Sequence, residues 1–239
     1  MKRFGLTPLL VLAAITTALL VAARTSAYFP GDLAFARWIQ SVAPPGDWAR
    51  ALTRAAYVPW IYGVLAVSAL AALRVAGWRG AAAMIVTFFA LMYVEPDIKG
   101  FIARPRPPAD LVAGGAAPAA MTVSAAAPAS PVSYSMPSGW ALLFGSSVGL
   151  LGVLAWTHAR GIARGAYVAG CALVLLAGLA ARVSLGAHWP SDVLAGYLLA
   201  VTIGLAVVES LHAFKGRGPF TSSGSSRTPA ARRSSRRSR

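Results

Sequence analysis

The sequence predicts an all-α integral membrane protein, a six-transmembrane-helix bundle followed by a basic tail. Three observations lead there. Of the 239 residues, 57% are hydrophobic and only 12% are charged, against about 25% charged in soluble domains. The mean hydropathy is +0.62. Such a chain cannot cover a soluble globule with polar surface, and it is too apolar for intrinsic disorder over most of its length. Finally, six apolar runs, at roughly 5–23, 57–73, 80–98, 138–157, 165–183 and 191–211, match the about 20 residues that a helix needs to cross the hydrocarbon. Lipid offers no partners to backbone N–H and C=O groups, so each run must satisfy them internally as a helix.

The first run follows Lys2-Arg3 and precedes Thr25-Ser26-Ala27. Signal peptides share that pattern, but the apolar stretch is longer than theirs, which favours a retained helix. Residues 28–54 place Asp32, Phe35, Trp38, Ile39 and Val42 near helical spacing, as in an amphipathic helix lying on the bilayer. The second and third runs are separated only by the basic stretch Arg74–Arg79. The fourth carries Gly145, Ser146, Ser147, Gly149 and Gly152, small residues that let helices approach closely. Residues 107–137 form a low-complexity outer loop of Ala, Pro, Ser and Gly, expected to be mobile because it cannot bury a core. Residues 1–214 are thus one membrane domain. Residues 215–239 are a disordered basic tail. Cys171, the single cysteine, lies within an apolar run and excludes a disulfide framework or a Cys-based metal site.

The chain holds 22 Lys+Arg against 7 Asp+Glu, a net charge of +15. Lys215, Arg217, Arg227, Arg232, Arg233, Arg236, Arg237 and Arg239 belong to the tail. With both termini in the cytoplasm, Lys2, Arg3, Arg74, Arg79, Arg160, Arg164 and the tail face inward, as the positive-inside rule requires. Asp32, Asp47, Glu95, Asp97, Asp110 and Asp192 then fall outside. Anionic lipid at the cytoplasmic surface, worth about 1 kcal/mol per nearby basic residue, is the expected partner of the tail. Nucleic acid is not.

Ionisable residues near membrane depth are costly and mark function. Here they gather at the outer ends of the runs: Lys99 and Arg106 after the third, Ser138 at the start of the fourth, Arg182 at the end of the fifth, and His188 with Asp192 at the start of the sixth. A six-helix bundle brings these boundaries to one rim. Three cations there suggest a phosphate on a lipid headgroup, bound bidentately by arginine and as a point charge by lysine. In His188-Trp189-Pro190-Ser191-Asp192, a carboxylate four residues after the histidine can hold one imidazole nitrogen and leave the other as nucleophile or base. Pro137-Ser138-Gly139 offers a hydroxyl and backbone N–H groups at a helix start, an anion site. Transport would call for paired charges near the bilayer midplane, and the ionisable groups sit at span ends instead.

These residues resemble the motifs of the type 2 phosphatidic acid phosphatase (PAP2) superfamily of integral membrane phosphatases. The family's Lys, six residues, Arg-Pro is matched by Lys99 through Arg106-Pro107. Its Pro-Ser-Gly-His is matched as Pro137-Ser138-Gly139-Trp140, and its Ser-Arg, five residues, His, three residues, Asp as Ala181-Arg182, His188 and Asp192. The resemblance spans roughly residues 28–211. It implies that Lys99, Arg106 and Arg182, helped by Ser138 and Gly139, hold a phosphate. It also implies that His188 attacks phosphorus to form a phosphohistidine, oriented by Asp192, with no metal or cofactor required.

Trp140 departs from the pattern. It stands where the family's histidine protonates the leaving group, and an indole only donates a hydrogen bond. His158 is 18 residues further on, about 27 Å along a helix, and His212 is also at the far side. Losing a general acid typically costs about 10²–10⁴-fold. Three readings are compatible with that departure: a pyrophosphate lipid whose phosphate leaving group needs no proton, such as a polyprenyl pyrophosphate; another acid among Glu95, Asp97, Asp110 and Tyr134; or a pseudophosphatase that binds lipid phosphate without turnover. Enzymatic dephosphorylation at the outer face of the cell membrane is the leading expectation.

Overall fold

The computed structural model describes residues 5–108 and 134–213. Within them the helices are α1 (Leu6–Ala22), α2 (Asp32–Val42), α3 (Asp47–Arg54), α4 (Trp60–Ile102), α5 (Gly139–Phe144), α6 (Leu150–His158), α7 (Gly161–Ser184) and α8 (Pro190–Ala213). A π-helical turn, Gly145–Gly149, joins α5 to α6, so Gly139–His158 is one continuous span. The basic tail 215–239 and most of the 107–137 loop lie outside the described residues.

Among the described residues, four helices are long and apolar enough to cross a membrane, and α1 is a shorter apolar helix. At 1.5 Å per residue the 43 residues of α4 would run about 65 Å, twice the hydrocarbon thickness. They do not run straight. Gly77 has φ 73° and ψ −175°, a backbone conformation open essentially to glycine, and it breaks α4 into two arms. The apolar runs expected at 57–73 and 80–98 fall largely on these two arms, which meet at Gly77 within Arg74–Arg79. The long apolar helices make this a multi-pass membrane protein.

Small residues set how closely the helices pack. A Cβ on Gly196 of α8 would lie 2.7 Å from the Ala141 Cβ and 3.0 Å from the Ser138 carbonyl oxygen, so its absence seats the start of α5 directly on α8. Thr16 of α1 meets Thr202 of α8, Oγ1 to Oγ1, at 3.3 Å inside the protein. Phe88, Leu150, Leu154 and Leu205 fill the centre between α4, α6 and α8.

The connection 28–54 differs from a single surface helix. Ala43-Pro44-Pro45-Gly46 interrupts it, giving α2 and α3. The expected face also splits. Phe35, Trp38 and Val42 are 42%, 55% and 61% exposed, whereas Asp32 and Ile39 are buried. Both short helices pack over the bundle end where α4 and α7 finish and α5 and α8 begin, and both contribute groups to the site. Lys99, expected just beyond the third span, is in the last turn of α4.

A side chain at Gly77 would be forced into glycine-only backbone space, at about 1–3 kcal/mol. Gly77→Ala should therefore lower the thermal midpoint in detergent, and Gly77→Val should lower it further. An unchanged midpoint in both would show that the break does not depend on glycine.

Candidate active site

The α4 helix ends with Ala103 in the left-handed region (φ 53°), its N–H donating to the Lys99 carbonyl. The turn sends Arg104 inward and Arg106 toward α7 and α8. Arg104 is fully buried between two carboxylates: Nη2 lies 2.8 Å from Asp32 Oδ2 and Nη1 lies 2.6 Å from Asp192 Oδ1. Nη1 also donates to Ser191 Oγ at 2.8 Å, and the guanidinium covers the Phe29 ring at 4.6 Å. Asp32 in turn accepts the Ser191 N–H and hydroxyl and the Phe29 N–H. A buried ion pair persists only where its charges and remaining hydrogen-bonding sites are satisfied. This triad meets that condition.

Asp192 was expected to hold His188 directly, and the geometry differs. Its Oδ2 is 3.9 Å from His188 Nδ1. Oδ2 instead accepts hydrogen bonds from the Ser135 hydroxyl and from the Trp189 N–H. The group at His188 Nδ1 is the Ser135 carbonyl, 2.8 Å away. Asp192 therefore orients the histidine through Ser135. A carbonyl only accepts, so Nδ1 carries the ring proton and Nε2 keeps its lone pair. Burial holds the imidazole pKa well below the ordinary histidine value, and Arg182, Arg106 and Lys99 lower it further. Desolvation and neighbouring cations both disfavour the imidazolium.

His188 lines a cavity of about 270 Å³ together with Lys99, Arg106, Arg182, Glu95, Gly139, Trp140, Thr53 and Tyr57. The three expected cations, from three separate boundaries, thus converge on one space beside the histidine. Arg106 Nη1 donates to the Ala187 carbonyl at 2.7 Å. Arg182 Nη1 reaches Thr53 Oγ1 of α3 at 3.4 Å, while its Nε is buried without a partner among the described residues. The Ser138 hydroxyl is likewise buried and unpartnered. Ser138 is not among the residues that line the cavity, whereas Gly139 is. Buried polar groups are normally satisfied, so the unpartnered Nε of Arg182, with Lys99 and Arg106 on the same space, marks a place for an anion. The Ser138 N–H is not free for one, since it donates to the Asp192 carbonyl at 3.1 Å. The cavity is smaller than the roughly 300–1,000 Å³ of a drug-sized site.

Trp140 faces away from proton-transfer chemistry. Its Nε1 donates to the Leu52 carbonyl of α3 at 3.0 Å, and its ring stacks on Phe144 at 3.8 Å and 6°. The ring fills the place of a side chain at Gly178, whose Cβ would fall 1.8 Å from it. Four residues of the site are poorly signalled by sequence. Arg104 hides in the repeat Arg104-Pro105-Arg106-Pro107, Asp32 reads as one polar position on a surface helix, and Ser135 and Thr53 carry no motif. Of the open acid candidates, Glu95 lines the cavity, Asp97 is exposed, Tyr134 is half-buried away from it, and Asp110 lies outside the described residues.

These features define a multi-pass membrane protein whose buried cationic cavity opens beside a neutral histidine. The PAP2 superfamily matches residues 78–215, more than half of the chain. The chain belongs to that superfamily. Its fold is similar to the crystal structure of the first transmembrane PAP2 type phosphatidylglycerolphosphate phosphatase from Bacillus subtilis. The TM-score is 0.59, with 16% identity over 86% of this chain and 96% of that one. No curated protein sequence matches the chain.

Removing Arg104 would leave two buried carboxylates uncompensated. Arg104→Met should cost about 3–5 kcal/mol, read as loss of the folded fraction in detergent. A near-neutral effect would show the triad to be dispensable. In ¹⁵N-histidine NMR, His188 should stay neutral, protonated at Nδ1, as the pH falls through and below 6.5. Arg106→Gln should move its titration upward, because one opposing charge is gone. Titration at or above pH 6.5 in the native protein would contradict this assignment.

Proposed function

We propose that the protein is a lipid phosphatase that removes phosphate from a lipid monoester or pyrophosphate through a phosphohistidine. The observation that carries this reading is the convergence of Lys99, Arg106 and Arg182 on the cavity where His188 keeps its unprotonated nitrogen. The cations bind the phosphoryl oxygens and neutralise charge as the transition state forms, the largest single contribution in such sites. Ser138 and the backbone at Gly139 add hydrogen bonds to the same oxygens. His188 Nε2 attacks phosphorus, and the Ser135 carbonyl and the nearby Asp192 carboxylate stabilise the cation that develops on the ring. Water then releases inorganic phosphate from the histidine.

The site is placed on the outer side of the cell membrane, with both termini in the cytoplasm and the basic tail against anionic lipid. The charge distribution of the sequence supports that orientation. A leaving phosphate needs less protonation than an alkoxide, so the tryptophan at position 140 supports a polyprenyl pyrophosphate as the favoured substrate. A second reading rests on the same residue: binding of a lipid phosphate without turnover.

Purified protein in detergent should release phosphate from a polyprenyl pyrophosphate and from phosphatidic acid. His188→Ala should abolish both, a loss of about 10³-fold or more. Release from neither substrate, with lipid phosphate still bound, would favour the non-catalytic reading.

A further inference from the structure

The site's missing proton donor has a structural substitute. Among the described residues lining the cavity, Glu95 is the one carboxylic acid. It sits on α4 one turn before Lys99, and its Oε1 is 2.8 Å from the Lys99 ammonium. Its carboxylate occupies the place of a side chain at Gly139: a Cβ there would fall 2.1 Å from Oε1 and 2.7 Å from Oε2. Glu95 therefore abuts the residue preceding Trp140, beside the position from which the family's histidine would act. Trp140 itself is committed to Leu52 and Phe144 and offers the cavity no acid.

We propose that Glu95 is the proton donor to the leaving group, and the base in the hydrolytic half-reaction. This rests on the phosphatase reading above. At rest the carboxylate is paired with Lys99. A phosphomonoester, whose second pKa is about 6, brings a second anion to the same lysine. Two anions so close share a proton. The substrate monoanion gives its proton to Glu95 as its oxygens take Lys99, Arg106 and Arg182. His188 Nε2 then forms the N–P bond with its lone pair. The ester P–O bond breaks, its electron pair stays on the leaving oxygen, and the Glu95 carboxyl proton goes to that oxygen. The products are an alcohol, a phosphohistidine and a carboxylate. In the second half the carboxylate takes a proton from water as the water oxygen bonds to phosphorus. The N–P pair returns to Nε2, inorganic phosphate forms, and Glu95 passes the proton to the departing phosphate, which leaves as the monoanion and restores the carboxylate. With this donor in place the protein hydrolyses lipid monoesters as well as pyrophosphates.

The test is the dependence of the first-turnover rate on leaving group, using p-nitrophenyl phosphate, phenyl phosphate and dioctanoyl phosphatidic acid. The wild-type rate should depend little on leaving-group basicity. Glu95→Gln should make that dependence steep, losing about 10²–10⁴-fold on phosphatidic acid and less than about tenfold on p-nitrophenyl phosphate. Trp140→His added to Glu95→Gln should restore part of the loss on phosphatidic acid. An equal fall on all three substrates, or a faster rate, would overturn the proposal by showing Glu95 to position Lys99 or to block the site. Should the variant fail to fold, a steep dependence in the wild type overturns it just as directly. If the wild type releases phosphate from none of them, or His188→Ala is as fast as wild type, the phosphatase reading itself fails.

Discussion

The Arg104 guanidinium, enclosed between Asp32 and Asp192, holds three distant parts of the chain in one relation. Asp32 opens α2, Arg104 follows α4, and Asp192 lies in the first turn of α8. In a protein interior each of these charges alone would be prohibitively desolvated, so none can be buried without the others. Their joint burial pins the start of α8, and Asp192 then fixes Ser135 and through it the imidazole of His188. The tautomer of His188 is thus decided by groups outside its own ring. The carboxylate four residues along belongs to an ion network and reaches the ring at one remove.

Around the cavity the electrostatics run the other way. Lys99, Arg106 and Arg182 face one space with a single carboxylate among them. The cations that would receive a phosphate also keep His188 neutral, since they oppose its protonation. One arrangement therefore has two consequences: the cavity is electropositive, and the same field favours the neutral imidazole with its free lone pair.

The tryptophan at position 140 reshapes the wall of the site. Its indole packs flat on Phe144, is anchored by the Leu52 carbonyl, and requires glycine at 178. Glycine at 139 in turn admits the Glu95 carboxylate. The apolar residue and the acid are neighbours across one backbone turn.

The bundle was legible from the sequence because hydrocarbon thickness and backbone satisfaction leave an apolar run of about 20 residues little choice but a helix. The runs at 5–23, 138–157, 165–183 and 191–211 differ from α1, Gly139–His158, α7 and α8 by a few residues. Lys99, Arg106, Arg182 and His188 were legible as ionisable groups near the ends of apolar runs, and the structure brings them to one cavity. Tertiary structure alone decided the rest. Gly77 joins the two arms of α4 through a backbone state that composition does not announce, and α2 and α3 fold onto the site, where Asp32 and Thr53 find partners. Ser135, an ordinary residue in a sequence of many serines, takes the position between Asp192 and His188. Glu95 comes to Gly139 only once α4 lies against α5. Local periodicity records which residues are apolar, whereas a hydrogen bond or an ion pair across dozens of residues exists only when both ends have been packed into place.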